Sequence, residues 1–183
     1  MRSRFTILLA ASFSTLTGCV TDSVQTSSGR PLAPAPRSVA PAPQESSINA
    51  VSLLKAQRPV DTNGNGFPNR LDVAVYLFAR PYPIPRHAVG TLRFHYYPVG
   101  SVDPVQGSSS DPLASWSFSS EMLAAAEIDD IIGPGYSLAL DLSAVGASSL
   151  PVDSVDLVVE FEPLEGGEMA RGTSIQRIPF VIY

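Results

Sequence analysis

Few residues in this chain of 183 could carry out chemistry. There are two histidines, His87 and His95, and a single cysteine, Cys19. Two histidines leave little for acid–base or metal chemistry, and one cysteine excludes an internal disulfide framework and a cysteine-based zinc site. The sequence also lacks the G-x-S-x-G, phosphate-loop and dinucleotide-binding patterns of common catalytic sites. We therefore predict that the protein is not an enzyme.

The most specific ligand-binding motif is the twelve-residue segment Asp61–Asp72, which follows the pattern D-x-N-x-N-G-x5-acid. It resembles the calcium loops of EF-hand and dockerin proteins. The ligands that this resemblance implies are Asp61, Asn63, Asn65, the Phe67 carbonyl, Asn69 and Asp72. Only two of them are carboxylates, and Asp72 replaces the longer bidentate Glu, so affinity should be weak. The alternative is an Asn/Gly turn that leads into a strand.

Aromatic residues offer a second candidate binding surface. Tyr82, Tyr96 and Tyr97, if exposed together, would form a platform on which a sugar ring could stack. The sequence thus leaves open a calcium-dependent or glycan-binding module, and calcium is the one cofactor that it suggests.

The N-terminus has the features of an export signal. Arg2 and Arg4 precede a mostly apolar stretch at 5–16, which is too short to span a bilayer but fits a secretory apolar region. The stretch ends in Leu16-Thr17-Gly18-Cys19. This tetrapeptide resembles the lipobox of bacterial lipoproteins, and Cys19 is the only cysteine of the chain. The alternative is an ordinary signal peptide in which the cysteine is incidental.

The lipobox resemblance implies a processing route and a location. In that family a diacylglycerol is attached to the cysteine thiol, a peptidase cleaves just before the cysteine, and the new amino group is acylated. Several acyl chains on Cys19 would anchor the protein stably in a membrane. Val20 stands where Asp usually retains such proteins in the inner membrane. The resemblance therefore implies the periplasmic face of the outer membrane in a host that has one.

Composition divides the chain into three parts. Residues 1–18 are the predicted signal peptide, and residues 19–47 follow as a Ser/Pro/Ala-rich tether that begins with the acylated Cys19. The tether has too few large apolar residues to offset the entropy of ordering, and its prolines favour an extended chain. Residues 48–183 suffice for one domain with a single core.

Alternating apolar residues predict an all-β domain. The predicted strands are 49–56, 70–79, 90–97, 114–118, 136–142, 154–162 and 174–182. Seven short strands separated by Gly/Pro turns indicate a two-sheet β-sandwich of immunoglobulin, C2 or transthyretin type. Pro179 places the last strand at an edge. One short helix is predicted over Glu121–Glu127, capped by Ser119 or Ser120, and a turn is predicted at Gly133-Pro134-Gly135.

The charge distribution bears on partners. The chain has 12 Lys+Arg against 17 Asp+Glu, for a formal net charge of −5, which argues against a nucleic-acid partner. Lys and Arg are absent between Arg93 and Arg171, while acids continue from Asp103 to Glu168. This asymmetry would orient the domain towards a charged partner, unless folding interleaves the two halves.

A looser resemblance concerns the domain. An acylated cysteine, a sandwich of this length and the stretch Gly66–Phe78, with its Val-x-Val-Tyr-Leu strand, are similar to the TssJ-type lipoproteins of type VI secretion. The sequence thus predicts a membrane-anchored lipoprotein whose sandwich is a structural or protein-interaction module of the cell envelope. Its predicted partners are the membrane, through Cys19, and an envelope protein; a role in a type VI secretion membrane complex is the more specific alternative.

Overall fold

The computed structural model describes Gly29 and residues 38–103 and 106–180. The predicted signal peptide, Cys19 and most of the predicted tether lie outside these residues. The described fold belongs to the unit Val39–Tyr183.

The regular secondary structure of the described chain is almost entirely β-strand. In chain order the elements are β1 (Ala50–Lys55), β2 (Arg70–Phe78), β3 (Gly90–Pro98), β4 (Val102–Asp103), β5 (Gly107–Ser108), β6 (Ala114–Phe118), α1 (Ser120–Ala124), β7 (Glu127–Asp129), β8 (Pro134–Asp141), a 3-10 helix (Leu142–Val145), β9 (Ser154–Pro163), β10 (Ala170–Arg171) and β11 (Gln176–Pro179).

The strands form two main antiparallel sheets. One has the order β1-β2-β8-β7; the other has the order β10-β9-β3-β6, and β11 also pairs with β9. The inward side chains of both sheets belong to one hydrophobic core, with Phe94 and Phe161 of the second sheet fully buried beside Leu71 and Leu140 of the first. The predicted all-β sandwich with one short helix is therefore confirmed.

Alternation along β3 shows why the sheets face each other as they do. Leu92, Phe94 and Tyr96 are buried, whereas Arg93 and His95 lie on the outer face. An apolar residue at every second position gives a strand one face that must leave water. Strand β2 is buried on both faces in its C-terminal half, where the consecutive residues from Val75 to Leu77 are buried.

Three predicted boundaries were wrong. The helix ends at Ala124 because Glu127 already begins β7. Pro134 is the first residue of β8, and the turn before it is closed by hydrogen bonds between Asp130 and Gly133. The last predicted strand, 174–182, is shorter in the structure, where β11 spans Gln176–Pro179, and the unpredicted β10 pairs with β9 before it. Pro179, as expected, needs no ladder hydrogen bond, since it is the last residue of β11.

Folding interleaves the basic and acidic parts of the sequence. On the outer face of the second sheet, Arg93 pairs with Glu162 across β3 and β9. Arg171 pairs with Glu160 there, and Arg177 with Asp156. Long-range strand pairing thus brings Arg93, Arg171 and Arg177 onto the acidic strand β9, so folding removes part of the charge asymmetry.

Helices add little to this architecture. Ser119 caps α1 by accepting a hydrogen bond from the Met122 amide, and Leu123 is the buried residue of the helix. Over the described ranges, no helix is long and apolar enough to cross a membrane.

Candidate functional site

The Asp61–Asp72 segment forms a loop that is organised by its own side chains. Asp61 accepts hydrogen bonds from the backbone amides of Asn63, Gly64 and Gly66, at 3.1, 2.8 and 2.8 Å. These bonds, that of Gly66 first, lower the pKa of Asp61. Asn65 accepts from the Phe67 amide and donates to the Ser148 carbonyl. Asp61 is therefore ionised at neutral pH and caps the loop.

The last two side chains of the predicted calcium set have other partners. Asn69 is 1% exposed and accepts hydrogen bonds from the Thr62 amide and hydroxyl. Asp72 forms an exposed ion pair with Arg70 at 2.9 Å. No group of three or more His, Cys, Asp and Glu side chains in the described part of the chain is arranged to hold a metal. Calcium binding, which would draw mainly on amide and carbonyl oxygens, stays a prediction.

The predicted tyrosine platform was wrong as a set. Tyr96 is fully buried and packs edge-to-face on Trp116, with ring centroids 4.8 Å apart. It belongs to the inward face of β3, so it cannot stack on an external ligand. Tyr82 is half-buried against the core. Tyr97 alone lies on the outer face of the second sheet, where it lines a small pocket.

The two histidines have separate environments. His95 on β3 lies 2.8 Å from the Ser115 hydroxyl on β6, because the two residues are register partners. Burial lowers the pKa of His95, although Glu160 acts in the opposite direction. Glu160 is itself held by Arg171. The Ser115–His95 contact therefore lies on a flat sheet beside a carboxylate that is already paired, which is not the geometry of a nucleophilic triad.

His87 acts as a packing residue. Its Nε2 lies 3.0 Å from the Gly135 carbonyl, and its ring packs on Tyr136 with centroids 5.2 Å apart. Its Nδ1 is 3.6 Å from Glu127. These contacts join the loop before β3 to the β7–β8 hairpin.

The turn of the β7–β8 hairpin, residues 129–133, is an apolar surface feature that the sequence analysis did not predict. We call it the hairpin tip. Ile131 is completely exposed there, and Ile132 is 42% exposed. Asp129 and Asp130 precede them directly in the chain. The signal that could have revealed the tip was the pair of isoleucines between two aspartates and a Gly-Pro-Gly turn.

Hydrogen bonds hold the hairpin tip in one conformation. Asp130 accepts from the Tyr76 hydroxyl at 2.5 Å and from the Ile132 amide at 2.8 Å. The Tyr76 hydrogen bond is the main cause of the lowered pKa of Asp130. Tyr76 crosses β8 at Gly135, where a Cβ atom would lie 2.7 Å from the tyrosine ring. Gly135 therefore allows Tyr76 to reach the tip.

A second feature lies where the tether enters the domain. The Arg86 guanidinium donates to the carbonyls of Pro43, Gln44 and Ser46, at 3.0, 2.7 and 2.6 Å. This segment forms one wall of an open groove of about 730 Å³, opposite residues 165–171. We call the three hydrogen bonds the Arg86 clamp. It fixes residues 43–46 against the domain.

Comparisons with known proteins do not identify a family. No family model matches the chain, and no curated protein matches it.

Proposed function

We propose that this protein is an exported lipoprotein, anchored through acyl chains on Cys19, whose β-sandwich binds a protein of the cell envelope. The lipobox Leu16-Thr17-Gly18-Cys19 behind a short positive and apolar stretch supports the anchoring. The tether would hold the domain away from the bilayer. The Arg86 clamp supports a defined point at which the tether leaves the domain.

The hairpin tip is the observation that carries the interaction role. Single exposed apolar side chains are common. Here, however, two adjacent isoleucines are displayed on a turn fixed by Asp130 and Tyr76. A rigid apolar projection loses little conformational entropy on binding. It would fill an apolar pocket in the partner.

The acidic residues near the hairpin tip indicate the charge of the partner's surface. Three acids, Glu127, Asp129 and Asp130, lie directly before the isoleucines in the chain, and Asp129 and Asp130 belong to the hairpin tip itself. A pocket rimmed by Lys or Arg is therefore the complementary surface. The same acids would be repelled by anionic lipid headgroups, so we assign the hairpin tip to a protein partner.

Site-specific photo-crosslinking tests this proposal. A photo-reactive residue replaces Ile131 in the full-length lipoprotein in its host, and the same residue at Leu54, which is 48% exposed on β1, is the matched control. We expect a discrete adduct with one envelope protein from position 131 only, which a further Ile132→Asp substitution abolishes. Identical adducts from both positions, or none from position 131, would refute the interaction role.

Two narrower predictions from the sequence stay untested. The TssJ-type resemblance and the calcium loop are predictions without a further supporting observation. A partner identified by crosslinking as type VI secretion machinery would support the TssJ-type role.

A further inference from the structure

A small pocket lies on the outer face of the second sheet, away from the hairpin tip. Its volume is about 170 Å³. Drug-sized sites start at roughly 300 Å³, so this one suits a single ring-sized ligand. Strands β3 and β9 supply the floor, and strands β4 and β5 and residues 171–175 supply the walls.

The floor is apolar and aromatic. Tyr97 of β3 and Val158 of β9 are both half-buried and both line the pocket. Burial and the nearby Glu160 raise the pKa of Tyr97, so its ring is uncharged at neutral pH. An uncharged aromatic ring next to an aliphatic side chain presents a surface suited to C–H groups.

The wall of the pocket carries an ion pair between Arg171 and Glu160, which places hydrogen-bond donors next to an acceptor. Arg171 Nε donates to Glu160 Oε1 at 3.0 Å. The Glu160 side chain is 18% exposed and that of Arg171 is 55% exposed. The guanidinium has five N–H donors and the carboxylate has two acceptor oxygens. The pair therefore retains hydrogen-bonding capacity for a ligand while neutralising its own charge.

Charge also restricts the ligand class. The charged residues that line the pocket are Asp103, Glu160 and Arg171, and Asp103 accepts a hydrogen bond from the Gln106 amide. Glu160 and Arg171 neutralise each other, and the Asp103 carboxylate disfavours an anionic ligand. Hydroxyl groups, which donate and accept at once, fit a neighbouring carboxylate and guanidinium. Thr173 and Ser174 add two exposed hydroxyls at the rim.

We propose that this pocket binds one pyranose ring of a neutral saccharide. The C–H face of the sugar packs on Tyr97 and Val158. Its hydroxyl groups bond to Glu160, Arg171 and the hydroxyls of residues 173 and 174. This site is independent of the hairpin tip, so either proposal can fail without the other.

Ligand-observed saturation-transfer NMR tests the site. The full-length protein is held in a detergent without a sugar headgroup, and the probes are glucose, galactose and N-acetylglucosamine at millimolar concentration. We expect saturation of the ring C–H protons of at least one sugar. Tyr97→Ala should lower affinity roughly tenfold, because an aromatic contact contributes on that order. Tyr97→Phe, which keeps the ring, should bind like the wild type.

Two controls make the result decisive. Tyr82→Ala removes a half-buried tyrosine outside the pocket and should leave binding unchanged. Thermal unfolding of each variant shows that the domain is folded. No saturation with any of the three sugars, or equal saturation with wild type and a folded Tyr97→Ala variant, would overturn the proposal.

Discussion

At the level of single residues, Tyr76 and Asp130 determine how the hairpin tip is held. Tyr76 is almost completely buried, yet its hydroxyl reaches a carboxylate on an exposed turn. The hydrogen bond satisfies a buried donor and fixes a surface loop at once. One contact between β2 and the hairpin tip thereby holds the surface that we propose for partner binding.

Titration of Tyr76 gives a test of this arrangement. Burial first, and then Asp130, raises the pKa of Tyr76 from 10.0 to about 12. Between these values the unfolded chain releases a proton that folded Tyr76 retains, so stability decreases as the pH rises. We expect the free energy of unfolding in urea to fall more steeply with pH in wild type than in Tyr76→Phe over this interval.

Other tyrosines limit the size of the difference. Burial also raises the pKa values of Tyr96 and Tyr136, so Tyr76→Phe should keep part of the alkaline loss. Tyr82→Phe is the matched control and should follow the wild type. Parallel curves for wild type and Tyr76→Phe would show that the Tyr76 hydroxyl is not buried as described.

At the level of elements, the Asp61–Asp72 loop can be tested without disturbing its fold. Asp61 caps the loop, so its replacement would destabilise the loop with or without calcium. Asp72→Asn instead removes a predicted ligand, and its exposed pair with Arg70 contributes little stability, about 0–1 kcal/mol. If calcium binds, millimolar calcium raises the melting temperature of wild type and raises that of Asp72→Asn much less.

Calorimetry with calcium would show whether the loop fails to bind the ion. No heat of binding and no thermal shift in wild type at millimolar calcium would leave the loop as a turn that leads into β2. In that case calcium should also leave the melting temperature of Asp72→Asn unchanged.

The sequence predicted strands well because alternation is a local signal. The predicted strands at 90–97 and 154–162 match β3 and β9 closely, since buried apolar residues recur at every second position, as at Leu92 and Phe94 or Val159 and Phe161. The break between β10 and β11 was not predictable, because it depends on the approach of residues 172–175 to β1. There Gly172 forms a parallel bridge with Val51, and nothing local in the sequence reports such a contact.

Binding surfaces were harder to predict than strands. Alternation alone places Tyr96 on the same face as Leu92 and Phe94, so its burial could have been deduced from the pattern that gave the strand. The pocket at Tyr97 required knowledge that β9 lies beside β3 and that Arg171 reaches Glu160. These contacts join residues distant in sequence, so no motif could identify them.

At the level of the whole molecule, the Arg86 clamp fixes residues 43–46, where the predicted tether meets the domain. Arg86→Ala would remove three hydrogen bonds from a charged donor, and we expect a loss of roughly 1–3 kcal/mol in stability. Cleavage near residues 43–46 in limited proteolysis should become faster as well. Arg80→Ala is the control, since Arg80 bonds to Asn49 through its backbone alone. Unchanged proteolysis in Arg86→Ala would mean that the clamp does not hold the tether.

The roles that we propose for the Arg86 clamp and the hairpin tip both depend on attachment of the protein to a membrane. The mass of the N-terminal peptide of the protein purified from host membranes tests this most directly. We predict a mature chain that starts at Cys19 and carries acyl groups, and a Cys19→Ala variant that is neither cleaved there nor acylated. A wild-type N-terminus upstream of Cys19, or a Cys19 without lipid, would contradict the account.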